Sequence, residues 1–307
     1  MSWSAKRRGN PSQNLATLFS SRETRTPARM VEIFGEKWEP EKLCPDCHKD
    51  EDMRAPYKWT IGFADAYAHN NGDTVQDFMS LVVQPSLAAL ERKRQELARA
   101  AQDDVVFHFA LSDHEGLIQR TYMTFALAIH SLWEQQIRSY LICCLGSHTI
   151  EGVTLKKLET ATWGTKLNAL FFKVRGIELS SFDSYPALTQ LQMLGNACRH
   201  GDGDSARDLH TLYPELWLVP IQFPWLDSSM EPPSPPKPPV QHLQITLEIL
   251  TRYVSAIALF WLDMDRLGME SLLDKQPDMQ YRVAELLERR TPFLASVIEP
   301  TGDKTQY

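Results

Sequence analysis

The sequence predicts an all-α protein, a helical bundle with extra helices at its N- and C-terminal ends. Apolar residues recur at spacings of three and four in about seven stretches, which is the periodicity of an amphipathic helix. No stretch gives a convincing alternation of apolar and polar residues, the pattern typical of a half-buried strand. Glycine or proline stands where several of the periodic stretches end or break, at Gly164, Gly201 and Pro214.

Length and composition favour a globular protein of the cytoplasm. The chain has 307 residues, of which 43% are hydrophobic, so one large or two smaller domains are expected. Lys6, Arg7 and Arg8 are followed by polar residues, so no secretory signal is expected. No charge-free apolar stretch has the length of a membrane-spanning helix, and no membrane partner is predicted. Five cysteines in this length do not indicate a disulfide framework.

The charge is distributed unevenly along the chain. The net charge is -7, which disfavours a surface that coats nucleic acid without specificity. The first 30 residues nevertheless hold six basic residues against one acid, a net charge of +5. Residues 1–28 are therefore predicted to form a basic flexible arm. It is either loosely docked or a contact for nucleic acid or a protein partner.

A cysteine motif lies in the N-terminal helical region, which we place at residues 29–104. Cys44, Cys47 and His48 form a CxxCH sequence, the pattern of c-type haem attachment. That chemistry belongs to exported proteins, and no export signal is expected here. A structural zinc site needs about four ligands, and only three lie together. A plain loop without metal or other cofactor is therefore predicted, with a structural metal as the alternative.

Two helical stretches are expected before the middle of the chain. Thr74–Asp103 is strongly periodic, and Pro85 should kink or split it because proline removes a backbone hydrogen bond. Gly116–Leu145 is the longest clean pattern. We expect it to pack antiparallel against a later helix over Ser184–His200. The side chains predicted to be buried between elements are Tyr122, Phe125, Ile129, Leu188 and Leu191.

The remaining stretches complete the bundle, which we place at residues 105–268, with C-terminal helices and a tail at 269–307. The further predicted helices are Leu155–Val174 with a break near Trp163-Gly164, Ser205–Pro214, Val240–Leu267 and Leu272–Ile298. Side chains of the first of these that should pack inward are Leu167, Leu170, Phe171 and Phe172. Residues 231–239 are mostly proline and predict a stiff loop within the bundle, which offers a docking segment for a protein partner.

The candidate site lies at the end of the Ser184–His200 helix, in the sequence LQMLGNACRHGDG. Asn196 and His200 are four residues apart and share one helical surface, flanked by Arg199. Gly201 follows, where glycine favours the end of a helix. His and Arg at a helix C-terminus also stabilise the last carbonyls, so the cluster is either a simple cap or a functional site.

Glu134 is the candidate contributed by the longest helix. His130, Glu134 and Arg138 follow one another at intervals of four, so they lie along one side of the helix. They form either an ion-pair ladder or an arrangement in which Glu134 orients a polar group on a neighbouring helix.

Three helical segments in this order resemble the HEPN class of helical-bundle domains. They carry HSLWEQQIRSYL, WGTKLNALFF and LGNACRHGDG, and the resemblance covers roughly residues 105–265. The stretch GDGDSARDLHTLYPELW also looks like a group of bacterial proteins that share KHGxGxS. Many HEPN proteins belong to bacterial toxin–antitoxin, abortive-infection and CRISPR-associated systems. The resemblance implies a metal-independent ribonuclease that acts as a homodimer and carries an RNxxxH motif.

Matched residue by residue, Asn196 takes the polar position of the motif and His200 takes the histidine. Gly195 stands where the arginine belongs, which departs from the pattern. The resemblance implies that the histidine acts as general base or acid on the ribose 2′-hydroxyl or the leaving 5′-oxygen. The cation that would stabilise charge on the phosphorane can come only from Arg199.

Three functions remain open from the sequence. The first is a HEPN-type endoribonuclease of bacterial immunity, acting as a dimer. The second is a catalytically degenerate HEPN-like module that binds RNA, a nucleotide or a partner protein. The third is a helical assembly subunit that docks through its proline-rich loop and basic arm.

Overall fold

Helices dominate the computed structural model, which confirms the all-α prediction. The residues it describes are 63–147, 150–217, 239–271 and 279–298. Within these ranges there is no strand, and one isolated antiparallel bridge joins Trp217 to Leu243. No described helix combines the length and apolarity needed to cross a membrane. The predictions for the 1–28 arm, for Cys44, Cys47 and His48, and for 231–238 of the proline-rich loop lie outside the described residues.

The first helices differ from the prediction at their start and at Pro85. Helix α1 spans Phe63–Phe78, a π-helical turn spans Met79–Val83, and α2 spans Gln84–Asp103. Pro85 occupies the first turn of α2, where its missing N–H costs least, and the wider π-turn comes directly before it. The predicted break is therefore a change of helical type in a continuing helix.

Helix α3 spans Val106–Ser147 and is the longest described element. Its 42 residues give it a length of about 63 Å. The predicted start at Gly116 is wrong, because Gly116 lies inside the helix with open space around it. α2 and α3 form a helical hairpin, across which the His114 ring Nε2 lies 2.8 Å from the Leu90 carbonyl oxygen.

The predicted break near Trp163-Gly164 is confirmed. Helix α4 spans Leu155–Thr160 and α5 spans Thr165–Arg175, with Gly164 between them at a φ of 101°. Three of the residues predicted to pack inward are buried, namely Leu167, Leu170 and Phe171. Phe172 is 45% exposed, so its predicted burial is wrong.

Helix α6 spans Tyr185–His200, and α7 spans Asp204–Leu212. Gly201 ends α6 at a φ of 70°, a conformation that glycine adopts more readily than other residues. α6 packs against α3. Ile129, Leu188 and Leu191 are buried as predicted, whereas Tyr122 and Phe125 are only partly buried against the core.

Helix α8, Leu247–Glu270, lies at the centre of the bundle and contacts α1, α3, α6 and α9. Its predicted burial is confirmed, because sixteen of its residues are buried. The predicted start at Val240 is wrong: a 3-10 turn spans Val240–His242, and the Thr246 hydroxyl caps α8 by accepting from the Ile249 N–H at 3.3 Å. Helix α9 spans Gln280–Ile298.

A buried carboxylate joins the last two helices. The Asp263 side chain of α8 is 3% exposed and accepts a 2.7 Å hydrogen bond from Arg290 Nε of α9. This bond is the main reason that the pKa of Arg290 is raised above its ordinary value. Arg290 also contacts the exposed Asp183 before α6, and Arg266 lies 3.4 Å from Asp263. The guanidinium of Arg290 on α9 therefore contacts both α8 and the segment that precedes α6.

Candidate functional site

Gly195 lies where α6 crosses α3, in direct contact with His130. A Cβ atom added at Gly195 would lie 2.9 Å from Cγ and 2.9 Å from Nδ1 of the His130 ring. Such a distance is too short for carbon against an aromatic ring, so the crossing requires glycine. The position at which the resemblance expects an arginine therefore faces the ring of a buried histidine.

His130 is enclosed at this crossing and is 1% exposed. Neither ring nitrogen has a hydrogen-bond partner within the described part of the chain, and Nε2 lies 3.8 Å from Glu134 Oε1. Burial lowers the pKa of His130, which Glu134 opposes, while Arg199 and Arg138 lower it further. The imidazole is therefore neutral at physiological pH.

Glu134 connects α3 to the segment between α4 and α5. Its side chain is 15% exposed, and its Oε2 lies 3.2 Å from Nη2 of Arg138. Its Oε1 accepts a 3.4 Å hydrogen bond from the Trp163 backbone N–H, and Arg138 Nε donates to the Ala161 carbonyl at 2.9 Å. Glu134 thus pairs with Arg138 on its own helix and accepts from a backbone N–H of the segment between α4 and α5, not from a polar side chain on a neighbouring helix.

A second polar pair, Asn168 and Tyr185, lies beside the group formed by Glu134, Arg138 and Trp163 and connects it to the start of α6. The Asn168 amide donates a 2.9 Å hydrogen bond to the Tyr185 hydroxyl, and the Tyr185 and Trp163 rings lie 6.2 Å apart. Trp163 also lies 5.3 Å from the ring of Trp133 on α3. Trp163 thus links Trp133 of α3 to Tyr185 at the start of α6, and His130, three residues before Trp133, contacts Gly195.

The other three candidates lie at the C-terminal end of α6. Asn196 is half-buried, and Arg199 and His200 are exposed. None of their side chains forms a hydrogen bond or an ion pair with another described residue. Arg199 is four residues beyond Gly195, on the side of α6 that faces α3, and its charge reaches His130. The structure thus brings Arg199 toward His130, and leaves Asn196 and His200 on an adjacent surface.

Proton transfer and anion binding are the chemistry that these groups can supply. His200 presents an exposed imidazole, and Arg199 presents an exposed guanidinium that suits phosphate. The nearby Cys198 thiol is a poor nucleophile, because burial raises its pKa to about 12. Across the described ranges, no three His, Cys, Asp or Glu side chains are grouped so that they could hold a metal ion.

Sequence reasoning placed His130 in an ion-pair ladder and missed its contact with Gly195. It also missed Trp163, whose backbone N–H and ring connect Glu134 to α6. The glycine at position 195 was a signal for the contact with His130, because a glycine inside a helix indicates a close approach by another element. No sequence signal identifies which residue makes that approach.

The buried His130 should make stability depend on pH. The unfolded chain takes up a proton near the ordinary pKa of 6.5, whereas the folded protein does so only at lower pH. The free energy of unfolding should therefore fall as the pH drops below about 6.5, by at most about 1.4 kcal/mol per pH unit for this one group. Urea unfolding of wild type and His130→Leu across pH 5 to 8 measures the difference. Parallel curves for the two proteins would contradict a neutral buried imidazole.

Comparison with protein-family models, with curated proteins and with solved structures gives no match to this chain.

Proposed function

We propose that this protein is a HEPN-like RNA-binding module of bacterial immunity that works as a homodimer. The order of its helical segments and the Asn196–His200 spacing support the resemblance. The observation that carries binding over cleavage is the contact between Gly195 and His130. An arginine at this position has no room, so the charge that a ribonuclease of this class uses there is missing.

Arg199 supplies the cation for RNA in this proposal. Its guanidinium is exposed, has no carboxylate partner within the described ranges and presents paired N–H donors that match a phosphate. Asn196 offers an amide for a ribose or base edge one turn earlier on the neighbouring surface. Glu134 acts as a positioning residue, because it is engaged by Arg138 and by the Trp163 backbone.

A second candidate function is metal-independent cleavage of RNA, which the exposure of His200 beside Arg199 favours. In this reaction His200 takes the proton of the ribose 2′-hydroxyl, and that oxygen attacks the adjacent phosphorus. The bond from phosphorus to the 5′-oxygen breaks, and the leaving oxygen takes up a proton. Arg199 stabilises the negative charge of the phosphorane.

RNA binding should depend on Arg199 and be insensitive to a matched arginine elsewhere. With a fluorescent single-stranded RNA, Arg199→Ala should weaken affinity about tenfold, as expected for a lost charge-assisted hydrogen bond. Arg120→Ala removes an exposed arginine of α3 and should leave affinity within about twofold. Equal affinities for wild type, Arg199→Ala and Arg120→Ala would overturn the proposal.

Incubating the same RNA with the protein and a metal chelator distinguishes binding from metal-independent cleavage. Under the binding proposal the RNA stays intact with wild type and with His200→Ala. Release of fragments by wild type that is lost in His200→Ala and kept in His108→Ala, an exposed histidine of α3, would establish the second function instead.

A further inference from the structure

A pocket of about 300 Å³ opens beside helices α4 and α5, apart from the end of α6. This volume is at the lower limit of small-ligand sites. Three of the residues that line it are lysines, one on α4 and two on α5, namely Lys157, Lys166 and Lys173. Gly152, Ala161 and Leu170 form other parts of the wall.

Two of the lysine ammonium groups converge on Gly152. Lys157 Nζ donates a 2.8 Å hydrogen bond to the Gly152 carbonyl oxygen. Lys173 Nζ lies 3.4 Å from the position that a Cβ atom of Gly152 would take. Like charges brought to one place from two helices repel each other, so this arrangement favours a bound anion. An ammonium with one donor engaged still has two to offer.

The charge around the pocket differs from that of the chain as a whole. Residues 155–175 contain five basic side chains and one acid, whereas the protein has a net charge of -7. None of the three pocket lysines is paired with a carboxylate of another described residue. The positive charge of the pocket is therefore not neutralised by the described protein around it.

We propose that this pocket binds a phosphate-bearing polyanion, with Lys157, Lys166 and Lys173 as its donors. Lysine binds phosphate as a compact point charge, and three lysines from two helices surround a group with several negative oxygens. The Thr160 hydroxyl already donates to the Lys156 carbonyl at 2.8 Å, so the lysines supply the donors. The phosphates come from a free nucleotide or from an RNA backbone, and in the second case the site rests on the proposed function and extends it.

The pocket also borders the group formed by Glu134, Arg138 and Trp163. Ala161 lines the pocket, and its carbonyl accepts the hydrogen bond from Arg138, which pairs with Glu134. The backbone from Ala161 to Trp163 therefore borders the lysine pocket on one side and contacts Glu134 and Arg138 on the other. An anion in the pocket lies against the segment that Glu134 positions.

Binding of ATP, inorganic triphosphate and a 12-nucleotide RNA tests the proposal, with titration calorimetry for the first two and polarisation for the RNA. Lys157→Ala and Lys173→Ala should each weaken the bound probe about tenfold. Lys156→Ala removes the same charge from the neighbouring position, which does not line the pocket, and should change affinity by less than about twofold. All three lysines are exposed, so each variant should melt at the wild-type temperature.

The probe that responds identifies the source of the phosphates. Lysine-dependent binding of ATP and triphosphate indicates a free nucleotide, and lysine-dependent binding of RNA alone indicates the RNA backbone. Absence of binding by all three probes, or equal effects of the Lys156, Lys157 and Lys173 variants, would overturn the pocket. If no probe depends on the pocket lysines while RNA binding needs Arg199, the pocket is overturned and the proposed function stands. If RNA binding needs the pocket lysines and not Arg199, the pocket stands and the proposed role of Arg199 in RNA binding is overturned.

Discussion

Replacing Gly195 with alanine should destabilise the protein by about 1–3 kcal/mol, the usual cost of overpacking a core. The added methyl group would lie 2.9 Å from two atoms of the His130 ring, which is itself buried between helices. Either the ring or the helix crossing must shift to accommodate it. Urea unfolding followed by tryptophan fluorescence gives the change in free energy of unfolding.

The effect of Gly195→Ala on the free energy of unfolding should change sign when His130 is also replaced. In a His130→Ala background the obstructing ring is gone, and alanine is favoured over glycine in a helix by about 1 kcal/mol. Gly195→Ala should then stabilise the protein, so that the double-mutant cycle shows strong coupling between the two positions. An equal cost in both backgrounds would show that the ring is not what excludes a side chain.

The contact with His130 should also prevent an arginine from being accommodated at position 195. Gly195→Arg introduces the arginine that the proposed resemblance would place at this position, but its Cβ atom meets the same ring as that of alanine. The variant should lose stability and gain no ribonuclease activity. Only a partner change at His130 would open the space that the larger side chain needs.

Removing the Asp263 carboxylate should cost about 3 kcal/mol of folding free energy. Asp263 is buried and accepts from Arg290, so Asp263→Ala leaves a partly buried guanidinium with a weaker set of partners. The cost lies at the lower end of the range for buried pairs, because Arg290 keeps Asp183 and Arg266 keeps Glu270. Chemical unfolding of Asp263→Ala measures it.

Asp183 provides the matched control for this prediction. It contacts the same guanidinium, but its side chain is 51% exposed. An exposed ion pair contributes less than about 1 kcal/mol, so Asp183→Ala should be nearly silent. If the two variants lost similar stability, burial would not be the reason that Asp263 matters.

The helices could be predicted from the sequence to the extent that one face of each is buried. Apolar periodicity located α6, α8 and the break between α4 and α5, because in each case local pattern and tertiary burial agree. The starts of α1 and α3 were missed: the predicted helices begin at Thr74 and Gly116, whereas α1 begins at Phe63 and α3 at Val106. Gly72 lets α1 approach α8, where its added Cβ atom would lie 3.4 Å from the Ala258 Cα atom. Packing overrides the local preference of glycine there.

The candidate site could be predicted only in part, for a similar reason. The spacing of Asn196 and His200 follows from helix geometry alone, and the structure places both on α6 as the spacing requires. The contact of Gly195 with His130 and the hydrogen bond from Trp163 to Glu134 join segments far apart in the chain. Such contacts are set by how helices cross, which periodicity does not specify.

The central position of α8 has a consequence for the order in which the chain can fold during synthesis. α8 is among the last helices to be made, at Leu247–Glu270, yet α1 at Phe63–Phe78 packs against it. The face of α1 that packs against α8 therefore emerges from the ribosome before α8 has been made. Contacts between such distant segments slow folding, and the exposed intermediates are prone to aggregate. Packing of the bundle around α8 can therefore be completed only after Glu270 has been translated.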